Sequence, residues 1–263
     1  MHNCRMHLRI AGMFALSLLP CTAVAQKPVD LAYATYAAGL NVLRLQAVLD
    51  ETDSGYGLHV HYRTAGLFGF FLHSETDSMV QGVWDEDGDP DPLQFYSYGD
   101  IRGQPRRTLI RYRNGMPEVQ LLQPPTDGER DPVPVSMQLH TMDTLSAMVL
   151  LIRHVASTGR CDGQVATFDG RRAARISAHT VGVEMLRPAH GSQFAGLALR
   201  CDFVGEETAG FKHGEDPDEL RRKQHGSAWF ARPLPGEPPL PVRIAFETRW
   251  FGAATCYLLS AKD

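Results

Sequence analysis

The sequence has 263 residues, 26 basic and 30 acidic side chains and a formal charge of −4. Nucleic-acid binding rests on clustered positive charge, so this balance excludes that class. No later stretch approaches the roughly 20 uninterrupted apolar residues of a membrane-spanning helix, while the length suits one all-β barrel or sandwich.

The chain opens with Arg5 and Arg9, an apolar run from Ile10 to Leu19, and small residues at Ala23 and Ala25. These are the three regions of a cleavable secretory signal, and the cut is expected after Ala25. The apolar run is too short to cross a bilayer core of about 30 Å. A rival lipoprotein signal, cut before Cys21, lacks the small residue such a site uses, because Leu19-Pro20 precedes it. The expectation is therefore a leader over residues 1–25, then one β-rich domain over 26–263, exported to the bacterial periplasm. Cys4 and Cys21 leave with the leader, so Cys161, Cys201 and Cys256 remain. An odd count permits at most one internal bridge, and an oxidising compartment would close a pair that lies close in space.

Along the mature chain the dominant period is two. Leu58, Val60 and Tyr62 alternate with His59, His61 and Arg63, a strand signature. Similar runs are read at 108–113, 164–168, 172–178, 194–204, 227–231, 242–248 and 253–259. Residues 40–50 would also suit a helix but are assigned to a strand by context. Asn114-Gly115 and Asp169-Gly170 supply residues that tolerate positive φ, as tight hairpins require. The stretches 123–134 and 212–224, rich in Pro, Gly and charge, read as mobile surface loops.

One segment differs. Asp143 is a good N-cap, residues 144–157 are apolar around most of a helical circumference, and Gly159 stops the run. A helix apolar nearly all round must be covered nearly all round. In a chain otherwise made of strands the cover is a curved sheet. The predicted fold is mainly β, an antiparallel half-barrel or spiral sheet wrapped around one buried α-helix, with Leu150 and Leu151 as buried as Met148 and Ile152.

Several motifs in this order resemble a bacterial exported family, the domain-of-unknown-function 3108 family. They are Tyr36-Ala37-Ala38-Gly39-Leu40, Thr64-Ala65-Gly66-Leu67-Phe68-Gly69, Asp143-Thr144-Leu145-Ser146-Ala147, Cys161, Phe168-Asp169-Gly170-Arg171-Arg172, and Phe194-Ala195-Gly196-Leu197-Ala198 running into Cys201. Phe194 stands where the family pattern leads one to expect Tyr. The resemblance implies an exported β-rich domain with a bridge between Cys161 and Cys201, and no reaction. Closing that segment would stabilise by roughly 4 kcal/mol on the chain-entropy model. Cys256 then reads as a buried, inert thiol, since Ala253, Ala254, Tyr257 and Leu258 offer neither a base nor a positive charge.

Candidate sites are few. Asp85, Asp87 and Asp89 resemble a calcium loop, but Gly88 comes too early and Tyr96 stands where the closing Glu belongs, so an acidic turn is the favoured reading. His59 and His61 share one strand face and could hold a metal with His73, yet ordinary polar-face histidines explain them as well. Asp169 with Arg171 and Arg172 is the best charged cluster, read first as a hairpin turn with flanking charges. Leu67, Phe68, Phe70 and Phe71 either belong to the core or line a ligand groove for an acyl chain or apolar partner segment. No nucleophile elbow, zinc-protease helix, phosphate loop or dinucleotide fingerprint occurs, which weighs against an enzyme. No cofactor is implied. The function read from these residues is a non-catalytic, monomeric envelope protein that binds an amphipathic molecule or an envelope component. An exported hydrolase acting on envelope polymers and a lipid or lipoprotein carrier are the alternatives.

Overall fold

Thirteen strands pair side by side in one antiparallel sheet in the computed structural model, which describes residues 27–66, 69, 73–248 and 252–263. The first seven form a meander: β1 (Val29–Ala37), β2 (Leu40–Glu51), β3 (Gly55–Thr64), β4 (Ser74–Trp84), β5 (Pro90–Ile101), β6 (Gln104–Arg113) and β7 (Met116–Gln123). Helix α1 (Thr144–Thr158) follows. A second meander runs through β8 (Gly163–Phe168), β9 (Ala173–Leu186), β10 (Gly196–Ala209), β11 (Gln224–Ala231), β12 (Leu240–Thr248) and β13 (Gly252–Lys262). Pairing of β1 with β13 joins the two meanders and leaves β7 and β8 as the sheet edges. The sheet curls into a nearly closed barrel.

The gap between the edges is bridged by other chain segments. Met142, just ahead of α1, pairs in parallel with β8: its N–H donates to the Ala166 carbonyl, and its own carbonyl accepts from Phe168. The turn between β8 and β9 sits against β6 and β7. There Arg171 donates to the Gln123 carbonyl at 2.9 Å, and Gly170 lies so close to Thr108 that a Cβ would come within 2.9 Å of its methyl. The leader, the cleavage point after Ala25, and the candidate groove residues Leu67, Phe68, Phe70 and Phe71 lie outside the described residues.

Strand register explains the core. Leu49, Leu58, Val80, Phe95 and Ile110 face one another across five consecutive strands, and all are buried. Cross-strand partners share a face, so one row of large residues gives the barrel a continuous apolar inner band. Fully burying such side chains stabilises by about 1.5–3 kcal/mol each. The strand ends shift from their sequence-based positions: β9 runs on to Leu186 because its pairing with β10 continues to Gly196↔Leu186, past a bulge at Val181 between the pairs Arg200↔Gly182 and Cys201↔Thr180. Asp169-Gly170 is a four-residue turn rather than a tight hairpin, since Phe168 and Ala173 are the last paired residues.

Helix α1 lies inside the curl. Asp143 caps it with Oδ1, accepting the Leu145 and Ser146 N–H groups at 2.9 Å each, and Gly159 ends it at φ +68°. Val149, Ile152 and Val155 are buried, and Arg153 stacks 3.9 Å above the Trp84 ring. Met148, Leu150 and Leu151 are only partly buried, so the expected equivalence with Ile152 does not hold. The helix packs directly on β3, β4 and β5 and on β8 at the edge of the second meander, whereas the rest of that meander stands back from it and leaves a space.

Asp143 is fully buried in a network in which Ser146 Oγ donates to its Oδ2 at 2.7 Å and Tyr56 OH meets Ser146 Oγ at 2.8 Å. Desolvation raises its carboxyl above the ordinary value, against the lowering pull of the hydrogen bonds from Ser146 and Leu145. A carboxyl raised on folding holds its proton more tightly in the native state. Its stabilising contribution is therefore complete below the unfolded chain's value and is lost as pH rises through the native one. Urea midpoints from pH 3 to 8 should show wild type losing stability relative to Asp143→Asn over that rise, and parallel curves would contradict this account. Asp143→Ala should cost about 2–4 kcal/mol, from the lost cap and the lost charge-assisted bond from the buried Ser146 hydroxyl.

Candidate functional site

Among the described residues two large clefts meet at Thr144, with a smaller one of about 220 Å³ between Thr144 and β9, and register determines the character of the two large ones. The first lies between α1 and the second meander and measures about 420 Å³. Its floor comes from two cross-strand rows, Gly163–Ala178–Phe203 and Val165–Ile176. Small residues at Gly163 and Ala178 keep the floor low, and the Phe203 ring lies over its partner Gly226, where a side chain would collide with it. The roof is the face of α1 that carries Met148, Leu150 and Leu151, with Ile244 and Ala228 on the far wall. The polar lining groups are Asp89, Thr144, His154, Asp162 and Gln164. This is a cleft lined mainly by hydrophobic side chains with a few polar groups, the usual form of a small-molecule site.

Covalent and polar ties hold one end of this cleft. Cys161 and Cys201 are joined in a disulfide, as the family resemblance implied. Beside it, the Cys161 N–H donates to Thr180 Oγ1 at 2.9 Å, and that hydroxyl donates to Asp162 Oδ2 at 2.8 Å. Cys256 is a free, buried thiol, pushed up by burial and therefore unreactive at neutral pH, in agreement with the expectation of an inert thiol.

The second space, about 700 Å³, lies on the other side of Thr144, which lines both. Here the inner face of the first meander turns polar. Adjacent to the apolar band run the rows Tyr62–Thr76–Gly99–Arg106 and Val60–Ser78–Ser97–Thr108, with the Ser78 and Ser97 hydroxyls 2.9 Å apart. The opposite wall carries Arg171, Arg172 and Asp169 from the β8–β9 turn, then Glu129, Arg130 and Lys212. The last three come from the two stretches expected to be mobile loops. That expectation is corrected: the Asp131 N–H donates to the Phe211 carbonyl and the His213 N–H to the Glu129 carbonyl, so the stretches pair and form one wall. Their polarity, which suggested free loops, serves this lining.

The other candidates fall as follows. Asp169 Oδ1 accepts the Arg171 and Arg172 N–H groups at 2.9 Å each, and its Oδ2 pairs with Arg172 Nε at 3.0 Å. The cluster is thus a capped turn that also faces the polar chamber. Asp85 Oδ1 accepts the N–H groups of Asp87 at 3.0 Å and Asp89 at 2.8 Å, which turns this oxygen into the turn itself. His59 and His61 both approach Asp77 Oδ1 at 3.1 Å, and His73 stands 4.0 Å from Glu75. Among the described residues no group of three His, Cys, Asp or Glu side chains is arranged to hold a metal. No described helix is long and apolar enough to cross a membrane.

Sequence reasoning missed both chambers. The apolar one is assembled from residues of six elements and two loops, and only the unusual apolar breadth of α1 hinted that a second side needed cover. The polar one left a faint trace: Thr76, Ser78, Ser97 and Gly99 occupy alternating positions that the barrel turns inward.

The family model described as "Protein of unknown function (DUF3108)" matches residues 31–258. No curated protein matches the sequence. Among solved structures, a β-barrel-like protein of the DUF1849 domain of unknown function from Brucella abortus aligns with a TM-score of 0.55 at 14% identity, over 91% of this chain and 99% of that one. A Bacteroides fragilis protein with a YmcC-like fold aligns with a TM-score of 0.35 at 14% identity, over 90% and 97%. At that identity the Brucella likeness is one of fold.

Proposed function

This chain belongs to the DUF3108 family, whose description names no activity, and from that premise we propose that it is a non-catalytic binding protein of the bacterial cell envelope. It seats the apolar part of an amphipathic ligand between α1 and the second meander. The observation that carries this reading is the cleft of about 420 Å³ roofed by Met148, Leu150 and Leu151. A domain that needed only stability would close such a space, because voids in a core forfeit packing. Export to the periplasm, cleavage after Ala25, and a single monomeric domain over 26–263 are parts of the same proposal. The Cys161–Cys201 bridge is compatible with an oxidising compartment.

Monolauroylglycerol, used below its aggregation concentration, is a suitable probe. Calorimetric titration should give saturable one-to-one binding with a negative heat-capacity change, the mark of apolar burial. Ala178→Phe, which fills the floor of the cleft, should weaken binding at least tenfold while far-UV dichroism stays the same. Equal affinity of the variant and wild type would remove the cleft from the account.

A further inference from the structure

The polar chamber has no part in that reading so far, although it meets the apolar cleft at Thr144. Five cations line it: Arg106, Arg130, Arg171, Arg172 and Lys212. Four are matched. Arg106 is held in a fork by Glu129 at 3.1 and 3.2 Å, Arg130 by Glu207 at 3.0 Å, Arg172 by Asp169 at 3.0 Å, and Lys212 by Glu215 at 2.9 Å.

Arg171 is different. Among the described residues no carboxylate stands within 4.0 Å of it. Its Nη2 donates to the Gln123 carbonyl, which fixes the guanidinium in place, while Nη1 is buried and has no hydrogen-bond partner. Burial and the Arg106 charge act against its protonation, and the more distant carboxylates of Glu129 and Asp169 offset them only in part. A buried donor without a partner costs about 1–3 kcal/mol, more when charged. A guanidinium is a planar fork suited to carboxylate or phosphate oxygens, and one already held in position loses little entropy on binding. The same chamber is lined by Thr76, Ser78, Ser97 and Thr108, which offer hydroxyls from the sheet.

We propose that the polar chamber binds a phosphate-type anion at Arg171. This rests on the amphipathic-ligand reading for its second half: the anion is the ligand's headgroup, with the chain passing Thr144 into the apolar cleft. A free phosphate monoester has the same chemistry, and the test separates the two sources.

Three probes share parts: monolauroylglycerol, its phosphate ester lauroyl lysophosphatidate, and glycerol 3-phosphate. Each is titrated into the full chain and into Arg171→Met. Lysophosphatidate should bind wild type at least tenfold more tightly than monolauroylglycerol, and Arg171→Met should erase that difference without changing monolauroylglycerol affinity. Arg171→Lys, which keeps the charge but not the fork, should retain part of it. Saturable, Arg171-dependent binding of glycerol 3-phosphate with an affinity equal to that of lysophosphatidate would support the anion site and make a free monoester its occupant. Equal affinity of wild type for the two lipids, with no glycerol 3-phosphate binding, would overturn this inference while leaving the apolar cleft intact. Failure of both lipids together with retained glycerol 3-phosphate binding would overturn the amphipathic reading alone.

Discussion

Val149→Asp is expected to abolish soluble folded protein, whereas Leu151→Asp, two residues on, should fold and lose monolauroylglycerol binding. Val149 is fully buried on the side of α1 that packs on β3, β4 and β5. A carboxylate there has neither water nor a partner, and its burial costs several kcal/mol even after it takes up a proton. Typical domain stability is about 5–15 kcal/mol, so one such change consumes much of it. Leu151 faces the cleft, where the second meander stands off and the rim groups Asp89 and His154 also reach. An aspartate there can stay hydrated, and its cost is a few kcal/mol at most. It would still put a charge where an acyl chain must lie. Expression yield, melting temperature and lipid titration of the two variants separate the roles, and a well-folded Val149→Asp protein would mean that α1 is not packed closely against the first meander.

Removing the bridge comes next in size. Replacing Cys161 and Cys201 together by Ala should lower stability by about 2–5 kcal/mol. For a chain of this length that corresponds to a fall in melting temperature of roughly 5–15 °C. The loss arises partly in the unfolded chain, which regains the freedom the closed loop denied it, and partly in the native state, where Cys161 and Asp162 anchor the end of α1 to Thr180. Cys256 cannot substitute. The cross-strand row Cys201–Ala228–Ile244–Cys256 places it three strand spacings from Cys201. At nearly 5 Å per spacing that is about 14 Å, twice the reach of a disulfide. A Cys161→Ala single variant should therefore keep Cys201 and Cys256 as free thiols by mass analysis. A new Cys201–Cys256 link would contradict the register.

The sequence by itself determined what depends on neighbours along the chain. Alternation at Leu58, Val60 and Tyr62 makes β3, because successive side chains of a strand point to opposite faces. Asp143 and Gly159 mark the ends of α1 by local capping and by a positive φ, and both act within a few residues. The apolar breadth of α1 made a surrounding sheet necessary, and the family motifs brought Cys161 and Cys201 together. Tertiary structure alone decided the rest, since it depends on which strands become neighbours. The pairing of β1 with β13 brings the two meanders into one curl, and the register of β3 to β6 sorts their inward residues into an apolar band and a hydroxyl-lined end. Nothing local marks Arg171 as the unmatched cation: its isolation appears only once Asp169 is engaged by the turn and by Arg172, and Glu129 by Arg106. Charge pairing across more than 40 residues, as between Arg130 and Glu207, is a property of the nearly closed barrel, because only the barrel fixes the few ångströms over which such a pair forms.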